Sequence, residues 1–509
     1  MSNTTPALSA AELLRWAWRQ LTSMRTALML LLLLAIAAVP GSVVPQEAIN
    51  ASALANWQDA HPKLTPIYDK IGLFHVYSSV WFGAVYVLLM ISLVGCILPR
   101  CAVYWRALKL PPPATPKHLS RLPEHAKFSV EASTDEVLAR AKAALKSYRI
   151  AQFDNSLGAQ RGHLREAGNL VFHLSILIVL GGFAFGSLFG FKGGVVVVTG
   201  DGFSNAITQY DDFAPGPMFK PTDLEPFNFK LQKFNVEFIT KGRSFGAARN
   251  FWADLAIVDK PGATPRVERL AVNHPLSVGS TDIFLIGHGY APHITVRDGN
   301  GDIAYSGPSV FLPEGTDFRS FGVVKVPDAK PTQLGFEGEF YPTYAFTPER
   351  GAFTVFPDAL DPAMSLLSYQ GDLGLDDGRP QSVYVLDKSA MKPILKADGK
   401  PARLDLHPND TVKLPDGLGT VTFDGLSRFV KLQISRTPGN WVALLGTIIG
   451  LIGLMGSLFV RPRRVWVRVQ PDAETGHTLV EVGGLDRSSV SDLATEVDRI
   501  ADALGREHT

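Results

Sequence analysis

Four stretches of the chain are almost entirely apolar, at residues 26–44, 80–98, 167–191 and 440–460. Each is long enough to cross a hydrocarbon core of about 30 Å as a helix. The first follows a cationic segment, as in a signal peptide, but it is long and lacks a small-residue cleavage site, so we interpret it as a retained anchor. The pattern predicts an integral membrane protein with four transmembrane α-helices.

Basic residues cluster on one side of these spans, which predicts the orientation of the chain. The cations are Arg15, Arg19, Arg25, Arg100, Arg106, Lys109, Arg161, Arg165, Arg461, Arg463 and Arg464. We expect a multi-pass protein of the cell membrane with both termini cytoplasmic. The predicted inner segments are residues 1–25, 99–166 and 461–509, and the predicted outer segments are residues 45–79 and 192–439.

The long segment between the third and fourth spans shows the two-residue alternation of β-strands. Alternating runs such as Phe251–Val258, Ser382–Leu386 and Thr420–Phe423 are separated by Gly, Pro and Asp-Gly turns. We interpret Gly289–Pro292 as part of a loop, because glycine and proline are dense there. The segment is predicted to be a large extracytoplasmic all-β domain, either a sandwich or a barrel.

The second inner segment and the C-terminal tail carry short elements of both kinds. Ser133 and Glu136 have the spacing of a capping box, which predicts the start of a helix. In the tail, Leu493, Val497 and Ile500 recur at helical spacing. We expect this segment and the tail to pack together as a small cytoplasmic α/β lobe.

Two further features concern the spans themselves. Pro99 is expected to close the second span, because proline lacks the amide hydrogen that continues a helix. In the fourth span, Gly446, Gly450 and Gly453 recur at the spacing of small residues that let membrane helices approach closely. This span is therefore predicted to pack tightly against a neighbouring helix.

His173 is the one ionisable residue within the apolar run of the third span. An imidazole in lipid loses its hydration, so it persists only where it faces protein, a ligand or a cavity. A neutral imidazole can bind haem iron, and a porphyrin suits an apolar slot. The alternative is a hydrogen bond to a carbonyl or hydroxyl group on a neighbouring helix, and spacing alone leaves both open.

Three histidines of the outer segment are weaker candidates. His274, between Asn273 and Pro275, is expected at an exposed turn, where it is either simply solvated or a ligand that faces a partner. His288 and His293 flank the predicted loop, without a third ligand at a zinc-like interval. We expect these two to be solvated loop histidines.

Composition and missing motifs exclude several classes of protein. A net charge of +1 gives no overall field that favours nucleic acid. Cys96 and Cys101 lack Cys-x-x-Cys spacing, so we interpret them as small apolar residues. No nucleophile elbow, phosphate-binding glycine loop or His-Glu-x-x-His motif occurs, and the spans carry too few polar groups for a solute carrier.

A set of short segments is spread in order over nearly the whole chain. They are Trp18–Ala27, Pro40–Ser42, Pro45–Gln46, Ser92–Cys96, Pro99–Arg100, Phe172–Ser175, Asn273–Leu276, Gly289–Pro292 and Pro438–Trp466. With these segments the chain resembles the ResB family, also called CcsB, of the System II cytochrome c biogenesis machinery.

The resemblance implies a four-span subunit that works with ResC, also called CcsA, to carry haem b transiently across the membrane and present it to apocytochrome c. It implies at most a subunit of a holocytochrome c synthase, with a thioredoxin-like apocytochrome reductase as a further partner. It maps a candidate ligand of the haem iron onto His173 and a second cofactor-binding candidate onto His274. The partner's tryptophan-rich haem motif is not found here, and neither is Cys-x-x-Cys-His.

The alternative hypothesis is an envelope scaffold whose outer β domain binds protein partners without touching haem. In that case His173 forms only a hydrogen bond between helices. The variants His173→Asn and His173→Gln would then be tolerated, because an amide forms hydrogen bonds but is a poor haem ligand.

Overall fold

A computed structural model describes residues 9–46, 54, 57, 58, 60–162, 164–376, 378, 381–471, 477–486 and 492–506, with the backbone alone at 107–109. The helices in these residues are α1 Ala10–Leu21, α2 Met24–Val43, α3 Thr65–Lys70, α4 Val80–Lys109, α5 Thr134–Ala144, α6 Leu164–Phe189, α7 Asn440–Phe459 and α8 Leu493–Ala503. The chain divides into two compact units, one comprising Met1–Ala184 with Gly439–Thr509 and the other Phe185–Pro438.

The described strands form a five-stranded sheet, a large sheet, a four-stranded sheet and a two-stranded sheet. Their bounds are β1 Glu124–Val130, β2 Arg149–Phe153, β3 Ser156–Arg161, β4 Phe191–Val198, β5 Gly202–Ser204, β6 Asp212–Pro215, β7 Asn228–Phe238, β8 Ala248–Val258, β9 Arg266–Ala271, β10 Leu276–Val278, β11 Thr281–Arg297, β12 Ile303–Pro308, β13 Phe311–Pro313, β14 Ser320–Val326, β15 Leu334–Tyr341, β16 Tyr344–Thr347, β17 Gly351–Thr354, β18 Ala363–Gly371, β19 Met391–Pro393, β20 Arg403–Leu406, β21 Thr411–Lys413, β22 Thr420–Arg436, β23 Arg463–Pro471 and β24 Thr478–Asp486. The large sheet follows the order β19-β18-β15-β14-β13-β11-β22-β4-β6, and the four-stranded sheet follows β5-β7-β8-β9.

Four helices are long and apolar enough to cross a membrane: α2, α4, α6 and α7. They keep large apolar side chains on their outer surfaces, with Leu32 62%, Leu445 56% and Phe459 79% exposed. Outward apolar side chains suit a lipid solvent, in which burial against protein brings little hydrophobic gain. The predicted four membrane helices and the large β-rich region are therefore confirmed.

The contact between α6 and α7 is made by small residues. A Cβ atom added to Gly168 would lie 2.5 Å from the backbone nitrogen of Ser457, and one added to Gly182 would lie 2.8 Å from that of Ala443. A Cβ atom on Gly450 would lie 2.5 Å from the Ser175 Oγ atom. The two backbones approach closely only because these side chains are absent, which confirms the predicted tight packing of the fourth span.

The prediction that Pro99 closes the second span is wrong. Helix α4 runs through Pro99 to Lys109, and α2 likewise continues through Pro40 to Val43. A proline removes one backbone hydrogen bond, but membrane helices tolerate this loss because neighbouring groups satisfy the freed carbonyl. Losing one hydrogen bond costs less free energy than ending the helix, which would leave several backbone groups unsatisfied in lipid.

The first unit also contains the five-stranded antiparallel sheet, in the order β1-β24-β23-β3-β2. Helix α5 begins where the Ser133 Oγ atom accepts a hydrogen bond of 3.3 Å from the Glu136 N–H. Helices α5 and α8 pack on the sheet through a core that includes Val137, Val467 and Ile500. Strands from two distant parts of the chain thus share one core.

In the second unit, β11 and β22 pair along their whole lengths and extend through two hydrophobic cores. One core contains Ile283 from β11 and Ile434 from β22. The other contains Tyr290 from β11 and Phe423 from β22. The two long strands therefore connect the two cores of the β domain.

Two local predictions in this unit are wrong. Gly289–Pro292 lies inside β11 instead of in a loop, because the chain bulges on either side of it and the missing side chain of Gly289 makes room for the Phe429 ring. Ser382–Leu386 forms a turn at residues 383 and 384 and irregular structure elsewhere, instead of a strand. Its side chains do differ in burial, since Leu386 is 4% exposed and Val383 63%. The backbone of this segment, however, pairs with no strand.

Candidate functional site

His173 lies on α6, about 14 Å along the axis from the first residue of that helix at 1.5 Å per residue. Its Nδ1 atom is 2.7 Å from the backbone carbonyl oxygen of Asn169, one turn earlier in the same helix. A carbonyl only accepts hydrogen bonds, so Nδ1 carries the proton and donates. In the neutral form of such a ring, the free lone pair is on Nε2.

This hydrogen bond lies within one helix. The alternative hypothesis requires a hydrogen bond between two helices, so the observed bond is not the one it requires. Among the described residues, none hydrogen-bonds the Nε2 atom of His173, and the side chain is half-buried. In metal-binding histidines, a carbonyl that accepts from one ring nitrogen fixes the orientation of the ring and makes the other nitrogen more basic. The ring of His173 is thus held in one orientation, and its Nε2 atom would be available to a ligand.

The helix packing determines which side His173 faces. Ser175 points toward α7, and His173 is rotated by about 160° from Ser175 around α6 at 100° per residue. On the side of His173, the Tyr86 hydroxyl of α4 donates to the Leu180 carbonyl at 2.7 Å. Near the start of α6, Tyr104 of α4 interacts with the backbone of Ala167. Along the axis of α6, His173 therefore lies between these two contacts with α4, and it is on the face away from α7.

His274 occupies the turn that its sequence predicts. The His274 N–H donates to the Ala271 carbonyl at 3.0 Å, and Asn273 has a φ of 60° in the left-handed region, which asparagine tolerates. The His274 Nδ1 atom is 3.1 Å from the Val272 carbonyl, and the side chain is exposed. The same tautomer argument leaves its Nε2 lone pair facing solvent.

His288 is the residue that sequence reasoning placed most wrongly. It lies in β11, is only 6% exposed, and its ring stacks on that of Phe318 at 4.7 Å between centroids. The rings of Phe234 and Phe251 lie at 4.9 and 4.8 Å. The expectation of a solvated loop histidine is therefore contradicted, because the glycines around it belong to a bulged strand.

Electrostatics keep His288 neutral. Burial, together with the nearby Arg428 cation, lowers the pKa of His288 to about 4. The buried Nδ1 atom of His288 and the buried Nη1 atom of Arg428 have no hydrogen-bond partner among the described residues. Arg428 also forms an ion pair with Asp358 and lies over the Tyr290 ring at 4.7 Å. Nothing in the local pattern signalled this cluster, which depends on the pairing of β11 with β22.

The other candidates have ordinary partners. The His293 Nε2 atom is 2.8 Å from the Ser427 hydroxyl on the paired strand. Cys96 and Cys101 are free thiols, and the Cys96 Sγ atom lies 2.8 Å from the Thr22 carbonyl. In the part of the chain that the structure describes, no group of three or more His, Cys, Asp or Glu side chains could hold a metal ion.

The membrane helices and the β-rich unit define a multi-pass membrane protein with a large β domain. Its half-buried membrane histidine, with a pre-oriented ring, is the strongest ligand candidate. Residues 24–498 match the ResB-like family. The chain belongs to this family, which confirms the predicted resemblance.

Three similar proteins share the name cytochrome c biogenesis protein CcsB. The one from Microcystis aeruginosa is 26% identical over 272 residues, or 50% of this chain and 56% of that protein. One from a Synechococcus species is 28% identical over 273 residues, or 52% and 55%. One from Thermosynechococcus vestitus is 27% identical over 286 residues, or 53% and 60%. The chain thus spans little more than half the length of these curated relatives.

Proposed function

We propose that this chain is a subunit of a cytochrome c synthase complex, which helps carry haem across the membrane and presents it for covalent attachment to apocytochrome c. The names of the CcsB relatives support a role in cytochrome c maturation. The proposed partners are the membrane protein ResC/CcsA, apocytochrome c and a thioredoxin-like apocytochrome reductase. The scaffold alternative is not favoured.

The cargo in this proposal is haem b, and His173 binds its iron through Nε2. The observation that supports this most directly is the 2.7 Å contact of Nδ1 with the Asn169 carbonyl, which leaves Nε2 available as a ligand atom. The surrounding membrane helices are apolar, as a porphyrin requires. When bound, the haem supplies the vinyl groups for thioether formation, while His173 holds and orients the iron.

His274 has a different proposed role. It is exposed on the β domain with Nε2 facing solvent, so it would meet haem or a partner protein that arrives from outside the chain. The turn restricts the position of its backbone, and the contact of Nδ1 with the Val272 carbonyl orients the ring. We assign it to the presentation step, which takes place outside the membrane.

The orientation follows from the distribution of cations. Arg15, Arg19 and Arg25 before α2, and Arg461 and Arg464 after α7, support the proposal that both termini are cytoplasmic. The five-stranded sheet with α5 and α8 is then the cytoplasmic α/β lobe, and the β domain lies outside the plasma membrane. Alkaline phosphatase fused after residue 506 should be inactive, whereas a fusion within the β domain should be active. The reverse pattern would overturn this orientation.

The central experiment is purification of the chain with its ResC/CcsA partner, followed by visible spectroscopy. We expect a haem Soret band that is weakened or shifted by His173→Ala and by His173→Gln, with a parallel loss of holocytochrome c. The matched control is His407→Ala, which alters an exposed histidine of the β domain that has no proposed role. Retention of the wild-type spectrum in both His173 variants would contradict the proposal.

A further inference from the structure

Helix α1 precedes the first membrane span, and the described residues leave its surface exposed. It begins with a complete capping box, in which the Ser9 N–H donates to Glu12 Oε2 at 2.9 Å and the Glu12 N–H donates to Ser9 Oγ at 3.3 Å. None of its residues is buried, and Leu14 is 71% exposed. A helix this short is marginal in water unless its apolar face is covered. Something outside the described chain must therefore cover it.

The two faces of α1 differ in chemistry. At about 3.6 residues per turn, Leu14, Trp18 and Leu21 lie on one side, with Trp18 55% exposed. Arg15 and Arg19 lie on another side of the helix, rotated by about 100° and 140° from Leu14 at 100° per residue. Among the described residues, no carboxylate forms an ion pair with either arginine. The helix thus presents an apolar, tryptophan-containing face and a cationic face.

The C-terminal end of α1 is hydrogen-bonded to side chains of the second membrane span, α4. The Ser92 hydroxyl of α4 donates to the Leu21 carbonyl at 2.6 Å, and the Cys96 thiol donates to the Thr22 carbonyl at 2.8 Å. Both donors lie within the apolar part of α4. Terminal helix carbonyls need partners where water is absent, and these two side chains supply them. The turn between α1 and α2 therefore lies at the edge of the hydrocarbon.

We propose that α1 lies in the plane of the membrane surface, with its apolar face in the acyl chains and its arginines among anionic lipid headgroups. Tryptophan and leucine suit the boundary between headgroups and acyl chains, and guanidinium groups suit lipid phosphates. In the proposed orientation this is the cytoplasmic leaflet. The helix precedes the family match, which starts at residue 24, and its membrane contact does not depend on haem.

The test uses the full chain in vesicles of phosphatidylcholine with phosphatidylglycerol. In a Cys96→Ser, Cys101→Ala background, in which a serine hydroxyl replaces the thiol donor to the Thr22 carbonyl, single cysteines replace Leu14, Trp18, Arg15 or Arg19 and receive a nitroxide label. The accessibility of each label to oxygen, which concentrates in lipid, and to a water-soluble nickel chelate is then measured. We expect a several-fold higher oxygen-to-chelate ratio at positions 14 and 18 than at 15 and 19.

Two results would overturn the membrane placement. Equally high chelate access at all four positions would mean that α1 is in water, and exclusion of both reagents at positions 14 and 18 would mean that protein covers this face.

Pure phosphatidylcholine vesicles test separately whether anionic headgroups hold the helix. Label mobility at position 18 should rise there, and also in an Arg15→Gln, Arg19→Gln variant in the mixed vesicles. Unchanged mobility in both cases would overturn the role of anionic headgroups.

Discussion

Helix α6 and strand β11 each carry a histidine in apolar surroundings, and the two use it in opposite ways. On α6, the protein itself satisfies Nδ1 of His173 and leaves Nε2 free in a half-buried position. On β11, the ring of His288 is enclosed by phenylalanines and its Nδ1 has no partner among the described residues. A ligand histidine needs one nitrogen oriented and the other accessible. Of these two histidines, His173 has this arrangement.

The packing of the two elements explains the difference. Helix α6 packs on α7 through glycines, so its larger side chains remain available on the other faces. Strand β11 is covered by two cores in an aqueous domain, where full burial of aromatic rings supplies the stability. At its position on this strand, His288 is therefore enclosed and kept neutral.

The largest expected effect concerns His288 and pH. Its pKa is about 6.5 in the unfolded chain and about 4 in the folded one, so the unfolded chain binds the proton more readily between these values. Stability should fall as pH falls through this window, by about 3 kcal/mol from this group. Thermal unfolding of the purified chain, measured between pH 7 and pH 4, should show a shallower pH dependence for His288→Phe. His274→Gln serves as the exposed control, and identical slopes in all three proteins would contradict the burial argument.

The next effect tests the glycine contact of α6. Gly182→Ala places a Cβ atom 2.8 Å from the Ala443 backbone nitrogen, whereas a Cβ atom on Gly181 meets nothing within 4 Å. We expect Gly182→Ala to destabilise the chain by about 1–3 kcal/mol, because backbone atoms must move apart. Gly181→Ala should be neutral or slightly stabilising. Thermal unfolding in detergent distinguishes them, and equal shifts in the two variants would show that the helices do not rely on this close approach.

The smallest expected effect on stability is at His274. An exposed turn residue changes stability by within about 0.5 kcal/mol when replaced, so His274→Ala should unfold like the wild type. Its proposed role predicts a lower yield of holocytochrome c in cells at unchanged protein level. A wild-type yield would remove His274 from the proposed site.

Sequence patterns predicted the spans because hydropathy is a local property. They also predicted the close packing of α7 from glycine spacing, since small residues on one helix face have one main use in lipid. Pro99 was misplaced as a helix end because the stabilisation of a helix by lipid outweighs one lost hydrogen bond. The burial of His288 was missed because it depends on Phe318 and on β22, both distant in sequence. Long-range pairing of this kind leaves no local pattern.

The central claim is that Nε2 of His173 binds haem iron. The most direct measurement is the visible and electron paramagnetic resonance spectrum of a His173→Gly variant, purified with its partner, before and after addition of imidazole. Free imidazole can occupy the space of the missing ring, so the account predicts a lost or altered haem signal that imidazole restores. A spectrum that is the same in the wild type and the variant, and indifferent to imidazole, would contradict it.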